Sequence, residues 1–182
     1  MKKLIAAMNM TLDGFCNHTY GIVDDETHQH YNDLLENAGA MLYGRTTYQL
    51  MESYWPDIVK HPTGNKTMDD FAVLIDEVPK IVFSRTLDHV EWKNARLATK
   101  SLEAEVMELK QHPGKDIYIG SPSLIAQATA LGLVDEFQLM VHPVIAGKGL
   151  TLFKDLQEMI HLKLVKTKNF ACGAMVLYYV KA

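Results

Sequence analysis

The sequence predicts an α/β fold: a mixed, mostly parallel sheet with an antiparallel C-terminal edge and flanking helices. Two patterns carry that expectation. Short apolar runs alternate with amphipathic stretches up to about residue 133, the order that parallel strands with crossover helices require. The last quarter is strand after strand, which favours antiparallel pairing. A third observation sets the domain count. No Pro/Gly/Ser-rich linker, repeat or low-complexity tract divides the 182 residues, so residues 1–182 read as a single domain.

The elements follow in order. Lys3 to Met8 is a short apolar run that suits a buried strand. Asn9 to Asp24 is polar, holds Gly14 and Gly21, and exceeds an ordinary connection, which marks a functional loop. Asp24 or Asp25 caps a helix to about Ala38, with Tyr31, Leu34 and Leu35 on one face. Ala40 to Tyr43 is a second buried strand, and a hydroxyl of Thr46 or Thr47 caps the helix after it. That helix fades before Trp55-Pro56, and Pro56 to Lys66 reads as a loop. Thr67 to Ile75 is helical, Lys80 to Ser84 a strand, and Arg96 to Ala98 a short strand. Ser101 opens a helix with Glu105 in reach of its cap and Leu102, Val106 and Leu109 on a stripe; His112-Pro113-Gly114 stops it. Asp116 to Ile119 is a strand that runs into Gly120-Ser121-Pro122-Ser123 and a helix closing on Gly132. Glu136 to Val141, Leu162 to Lys166 and Ala174 to Val180 are the remaining strands, with a flexible turn at Ile145 to Gly149.

Composition narrows the function classes. Hydrophobic residues make up 48% and charged residues 22%, which fits a globular domain. A formal net charge of -4 argues against a general affinity for nucleic acid or an anionic membrane. Cys16 and Cys172 lie far apart and read as free thiols in a reducing compartment. Met1 to Ala7 briefly imitates a signal peptide, but Asn9, Thr11 and Asp13 break the apolar run. No stretch reaches the roughly 18 apolar residues of a membrane span. The expectation is a cytoplasmic protein.

Three places repeat one theme, a short strand ending in a small or hydroxyl residue before a helix or turn. They are Gly44-Arg45-Thr46-Thr47, Ser84-Arg85-Thr86 and Gly120-Ser121-Pro122-Ser123. In open α/β sheets ligands bind beyond the carboxyl ends of strands, where helix N-termini offer N–H groups and partial positive charge. Each motif alone is equally a capped helix with a surface arginine. Together they suit an extended ligand with more than one phosphate, such as a dinucleotide, although Gly-x-Gly-x-x-Gly is missing. Arginine at two of them favours an additional phosphate, and so NADPH over NADH.

These motifs carry a family resemblance. Thr11-Leu12-Asp13-Gly14, Leu42 to Tyr48, Phe83 to Leu87, Ile117 to Ser121, Leu131 to Glu136, Pro143 to Ile145 and Gly147-Lys148-Gly149 before Leu152-Phe153 carry it in combination. The chain resembles the dihydrofolate reductase fold and, more closely, the C-terminal reductase domain of the bacterial bifunctional riboflavin deaminase-reductase. The resemblance implies a three-layer fold, usually a homodimer. It implies an NADPH-dependent reductase of a small nitrogen heterocycle, similar to 5-amino-6-(5-phosphoribosylamino)uracil reductase. It also implies that Gly44, Arg45, Thr46 and Thr47 hold cofactor phosphates, that Ser84 and Arg85 sit at the adenosine and its 2′-phosphate, and that Gly120, Ser121 and Ser123 cradle the pyrophosphate. Ala7, with Ala6, would pass the nicotinamide. The chain also departs from its relatives. His28 stands where dihydrofolate reductases carry an acid, Thr47 to Met51 replaces the Asp-Asp-Pro segment of the riboflavin reductase, and Gly120-Ser121 replaces a glycine pair.

The remaining candidates keep two readings each. Asp13 is a proton source or loop anchor, or a turn residue before Gly14. His28 is a proton donor or a solvated helix residue. Tyr48 and Trp55 form an aromatic wall for a flat ring, or they pack in the core. A metal site at His28, His30 and the neighbouring carboxylates is not expected, because residues two apart do not share a helix face. The functional expectation is a reductase using NADPH. The alternatives are a non-catalytic dimeric NADP or nucleotide-binding module of the same fold, and a pterin reductase proper.

Overall fold

The computed structural model describes residues 2–153 and 156–182. Eight strands form one sheet in the order β4-β3-β2-β5-β1-β6-β8-β7. The strands are β1 (Leu4–Thr11), β2 (Ala38–Gly44), β3 (Lys80–Phe83), β4 (Ala95–Leu97), β5 (Asp116–Ile119), β6 (Glu136–His142), β7 (Leu162–Asn169) and β8 (Met175–Lys181). From β4 to β6 every pairing is parallel. The β6–β8 and β7–β8 pairings are antiparallel, and β8 is slotted between β6 and β7.

The parallel centre is covered on both faces, which is why its strands are nearly continuous apolar runs. On one face Leu4, Ala6, Leu42, Ile117 and Ile119 pack against α5 (Leu102–Gln111) and α6 (Pro122–Ala130). On the other, Ile5, Ala7, Met41, Tyr43 and Tyr118 meet α1 (Asp25–Glu36), α2 (Arg45–Glu52) and α4 (Lys66–Glu77). The result is three layers, one sheet with helices on both faces. The β2–β5 contact is tight enough to require glycine. A Cβ on Gly39, at the bulge between Ala38 and Ala40, would stand 2.5 Å from the Lys115 carbonyl oxygen.

Several boundaries differ from expectation. β1 runs on to Thr11, so the loop begins at residue 12. α1 ends at Glu36, because Ala38 is needed to start β2. The stretch expected as a loop from Pro56 opens with a helix, α3 (Trp55–Lys60), since proline in a first turn lacks only an N–H that would be unpaired anyway. Asp24 forms a capping box with Thr27, and Asn65 and Ser101 cap α4 and α5. Glu105 does not serve the cap of α5. It is buried and paired with Arg96 of β4.

Candidate functional site

The parallel order places β3, β2 and β5 side by side, so the three sequence motifs leave the sheet at one edge. Gly44 pairs with Phe83 and Leu42 with Ile119, which brings Ser84 and Ser121 to either side of Gly44. Side chains join them. The Gly44 N–H donates to Ser121 Oγ at 2.8 Å, and Arg45 Nη1 donates to Thr86 Oγ1 at 2.8 Å. A Cβ on Gly44 would lie 3.5 Å from Ser123 Oγ. Gly120 is packed by Tyr43, 3.4 Å from where its Cβ would stand. Residues distant in sequence therefore form one cradle.

Its helix ends are open. Gly44, not a threonine, is the N-cap of α2, and no side chain caps that helix. This corrects the expected hydroxyl cap: Thr46 is exposed and Thr47 half-buried, and both are inside the helix. Ser121 is the N-cap of α6, but its hydroxyl accepts from Gly44 and gives α6 no side-chain cap. Two neighbouring helices thus keep first-turn N–H groups available for an anion. Ser84 is occupied locally, its hydroxyl accepting from Thr86 and Leu87 N–H groups, while Arg85 is exposed beside it.

Ala7 lies on the same face of β1 as Ile5, in the core cluster that also reaches Trp55. On that face a cavity of about 410 Å³ opens between α1, α3 and α4. His28, Trp55, Tyr54 and Met68 form its walls. The His28 ring stacks on Phe71 at 6.0 Å and meets Trp55 edge-on at 6.4 Å. Burial holds the His28 pKa below the usual 6.5, against the pull of Asp25 and Asp24, so the ring is neutral at neutral pH. His28 is half-buried in the helix, between its two readings. Among the described residues no three His, Cys, Asp or Glu side chains gather as a metal site.

One expected site residue needs correction, and another takes one of its two readings. Tyr48 does not line the cavity of His28 and Trp55. It is 2% exposed, packs beside Trp92, accepts from the Glu91 and Trp92 N–H groups at 3.2 and 3.1 Å, and donates to Glu52. Burial and the bond to Glu52 push its pKa up to about 12. The aromatic wall is Trp55 with His28 instead. Asp13 fits the loop-anchor reading. It accepts from Thr11 Oγ1 at 2.6 Å, from Gly147 N–H at 2.7 Å and from Ala146 N–H at 3.1 Å. Those bonds, Thr11 first, lower its pKa to about 2, so it remains an ionised anchor between two loops.

His142 carries no signal in the sequence. At the end of β6 it is 2% exposed. Its Nδ1 accepts from the Ile22 N–H at 3.1 Å, and its Nε2 lies 2.9 Å from Asn9 Oδ1. The acceptor role of Nδ1 assigns the proton to Nε2. Gly21 lies against the ring, where a Cβ would come within 3.1 Å of Nε2. With Asp13 at one end and His142 at the other, residues 12–24 are fastened down. Asn17 Oδ1 accepts from Leu150 N–H at 2.7 Å between them.

Comparison with known proteins agrees with this architecture. The family model of the RibD C-terminal domain matches residues 2–176. The uncharacterised protein YyaP of Bacillus subtilis is 35% identical over 182 residues, covering 98% of this chain and 94% of its own. A Shewanella sp. PV-4 structure, provisionally assigned to riboflavin biosynthesis, superposes with a TM-score of 0.75 at 19% identity over 99% of both chains. Dihydrofolate reductase from Enterococcus faecalis superposes with a TM-score of 0.66 at 12% identity, covering 98% of this chain and 96% of its own. At these identities the two structures speak for the fold.

Proposed function

The chain belongs to the RibD C-terminal domain family, and from that premise we propose that it is an NADPH-dependent reductase of a small nitrogen heterocycle. One observation carries the reading. The carboxyl ends of β2, β3 and β5 gather Gly44, Arg45, Ser84, Ser121 and Ser123 into one cradle, and the aromatic cavity of His28 and Trp55 lies among the helices that cover the Ala7 side of the sheet. The cradle suits a dinucleotide because the α2 and α6 N-termini lack side-chain caps and Gly44 presents no Cβ. Gly44, Thr46, Thr47, Gly120, Ser121 and Ser123 would hold the pyrophosphate, and Arg45, Ser84 and Arg85 the adenosine end with its extra phosphate.

When bound, NADPH supplies a hydride. The protein's part is orientation, exclusion of water and control of a proton. Trp55 and Phe71 hold His28 at the cavity wall. His28 is the titratable ring best placed to pass a proton to a substrate nitrogen, since Asp13 is committed elsewhere. The loop of residues 12–24, fastened by Asp13 and His142, brings Val23 and Asp24 to the cavity.

We further place the protein in the cytoplasm as a homodimer. Among the described residues no helix is long and apolar enough to cross a membrane. The β7–β8 edge, with Leu164, Val165 and Met175 exposed, would supply the dimer contact. The test is a titration with NADPH and NADH followed by nicotinamide fluorescence, then a screen of aminopyrimidines and pterins for NADPH oxidation. Selective NADPH binding with substrate-dependent oxidation supports the reductase. Absence of NADPH binding ends it. The second reading, a cofactor-binding module without turnover, is favoured by His28 standing where dihydrofolate reductases carry an acid, and cofactor binding with no oxidation of any substrate would establish it.

A further inference from the structure

We propose that the cavity between α1, α3 and α4 takes an uncharged or cationic flat nitrogen heterocycle and rejects substrates that carry a phosphate, with Asp25 setting the selectivity. This selectivity rests on the reductase reading above and defines the substrate class of its cavity.

The helix ends at the two places contrast. The α2 and α6 N-termini, at the cradle, are open to an anion. The α1 N-terminus, at the cavity, is shut. Asp24 accepts from Thr27 N–H at 2.8 Å and takes the place an anion would occupy. Asp25 follows it in the first turn and also lines the cavity. Asp25 Oδ1 accepts from Asn65 Nδ2 at 2.8 Å and from Thr67 Oγ1 at 3.0 Å, and these bonds keep its carboxyl below the usual range. The α4 N-terminus is closed too, by Asn65, which accepts from Met68 N–H at 3.0 Å.

The cavity therefore presents two ionised carboxylates. Among the described residues no lysine or arginine lines it. Lys66, next in sequence to Asn65, is committed to Asp70 one turn further along α4. His28 is neutral, because burial opposes its charge. A phosphate dianion entering this space would meet like charge with no counter-ion and no free N–H cluster. A flat ring meets the opposite conditions. Trp55 and His28 offer aromatic surface, and the carboxylates accept from ring amino groups or stabilise a ring cation. The acidic cavity and the anion-seeking cradle thus have opposite charge preferences.

The test is calorimetric titration of the intact protein with 5-amino-6-ribosylaminouracil and with its 5′-phosphate, with and without saturating NADP+. The nucleoside is expected to bind at least about tenfold more tightly than the phosphate. Asp25→Asn, which keeps the acceptor oxygen for Asn65 and Thr67, is expected to narrow that ratio at least about threefold. Equal or tighter binding of the phosphate overturns the inference, as does failure of both compounds to bind. An unchanged ratio in Asp25→Asn removes Asp25 from its role. A separate NADPH titration keeps the two readings apart. Preference for the nucleoside without NADPH binding leaves the charge selection standing and removes the reductase.

Discussion

The backbone N–H of Gly44 donates to the hydroxyl of Ser121 at 2.8 Å, which joins the ends of β2 and β5 and leaves α6 without a side-chain cap. One hydroxyl thus satisfies a strand end at the expense of a helix end. Ser121→Ala would leave the Gly44 N–H without that acceptor in a part-buried position. We expect a loss of about 1–2 kcal/mol in unfolding free energy. Denaturant unfolding of the unliganded protein checks this, and an unchanged midpoint would show that the bond contributes nothing.

Gly44→Ala separates cradle from scaffold. Gly44 has φ −78, which any residue adopts, and its Cβ would make only ordinary contacts, the nearest at 3.5 Å from Ser123 Oγ. Folding stability should change by no more than about 1 kcal/mol, the cost of alanine at an N-cap. NADPH affinity should fall at least about tenfold, because the added methyl stands where phosphate would approach the α2 N–H groups. If the Gly44→Ala variant binds NADPH like the parent, the cofactor lies elsewhere.

Arg45→Ala tests the adenosine end. The guanidinium is exposed and bonds to Thr86 Oγ1, so stability should scarcely change. Binding of NADPH should weaken by about 1–3 kcal/mol, the scale of a charge-assisted contact, with a smaller change for NADH. Parallel titrations measure both. An equal loss for the two cofactors would take Arg45 away from the extra phosphate.

Much of this cradle is legible in the sequence because its signals are local. Gly44-Arg45-Thr46-Thr47 and Gly120-Ser121-Pro122-Ser123 each follow a short apolar strand, and parallel pairing carries them to one edge. The missing side-chain cap of α6 has a long-range reason: the Ser121 hydroxyl accepts from the Gly44 N–H across the sheet, 77 positions away. His142 gives no signal, since its partners Asn9 and Ile22 are 133 and 120 positions distant and meet it only when β1 and β6 pair. Tyr48 looks like a pocket aromatic because its helix leaves the cradle. Its bonds to the 91–92 backbone depend on a loop that sequence periodicity does not place.

His28 makes a signed pH prediction. A histidine that donates a proton works in its protonated form, and burial lowers this one below 6.5. The saturated reduction rate should therefore rise as the pH falls below 6.5. His28→Asn should lose that acid limb while retaining NADPH affinity. A rate that falls on acidification in the parent protein, or an acid limb that survives in the variant, would assign the proton to another group.

His30 makes the corresponding prediction for stability. It is 7% exposed and packs edge-on between Tyr31 and Phe170. Burial, aided by the nearby Lys168 and Lys166 and opposed by Asp33, lowers its pKa from 6.5 to about 4. As pH falls through this window the unfolded chain takes up the proton first, so stability present above pH 6.5 is lost progressively toward pH 4. At 1.36 kcal/mol per pH unit the loss is at most about 3 kcal/mol, less where solvent reaches the ring. Carboxylates elsewhere contribute their own acid sensitivity, so the comparison is between the parent and His30→Leu, each unfolded by denaturant at pH 7 and pH 4. The variant should lose less stability over that interval whatever its starting value. Equal losses would show that His30 is protonated in the folded protein about as readily as in the unfolded chain, and that Phe170 and Tyr31 do not keep water from it.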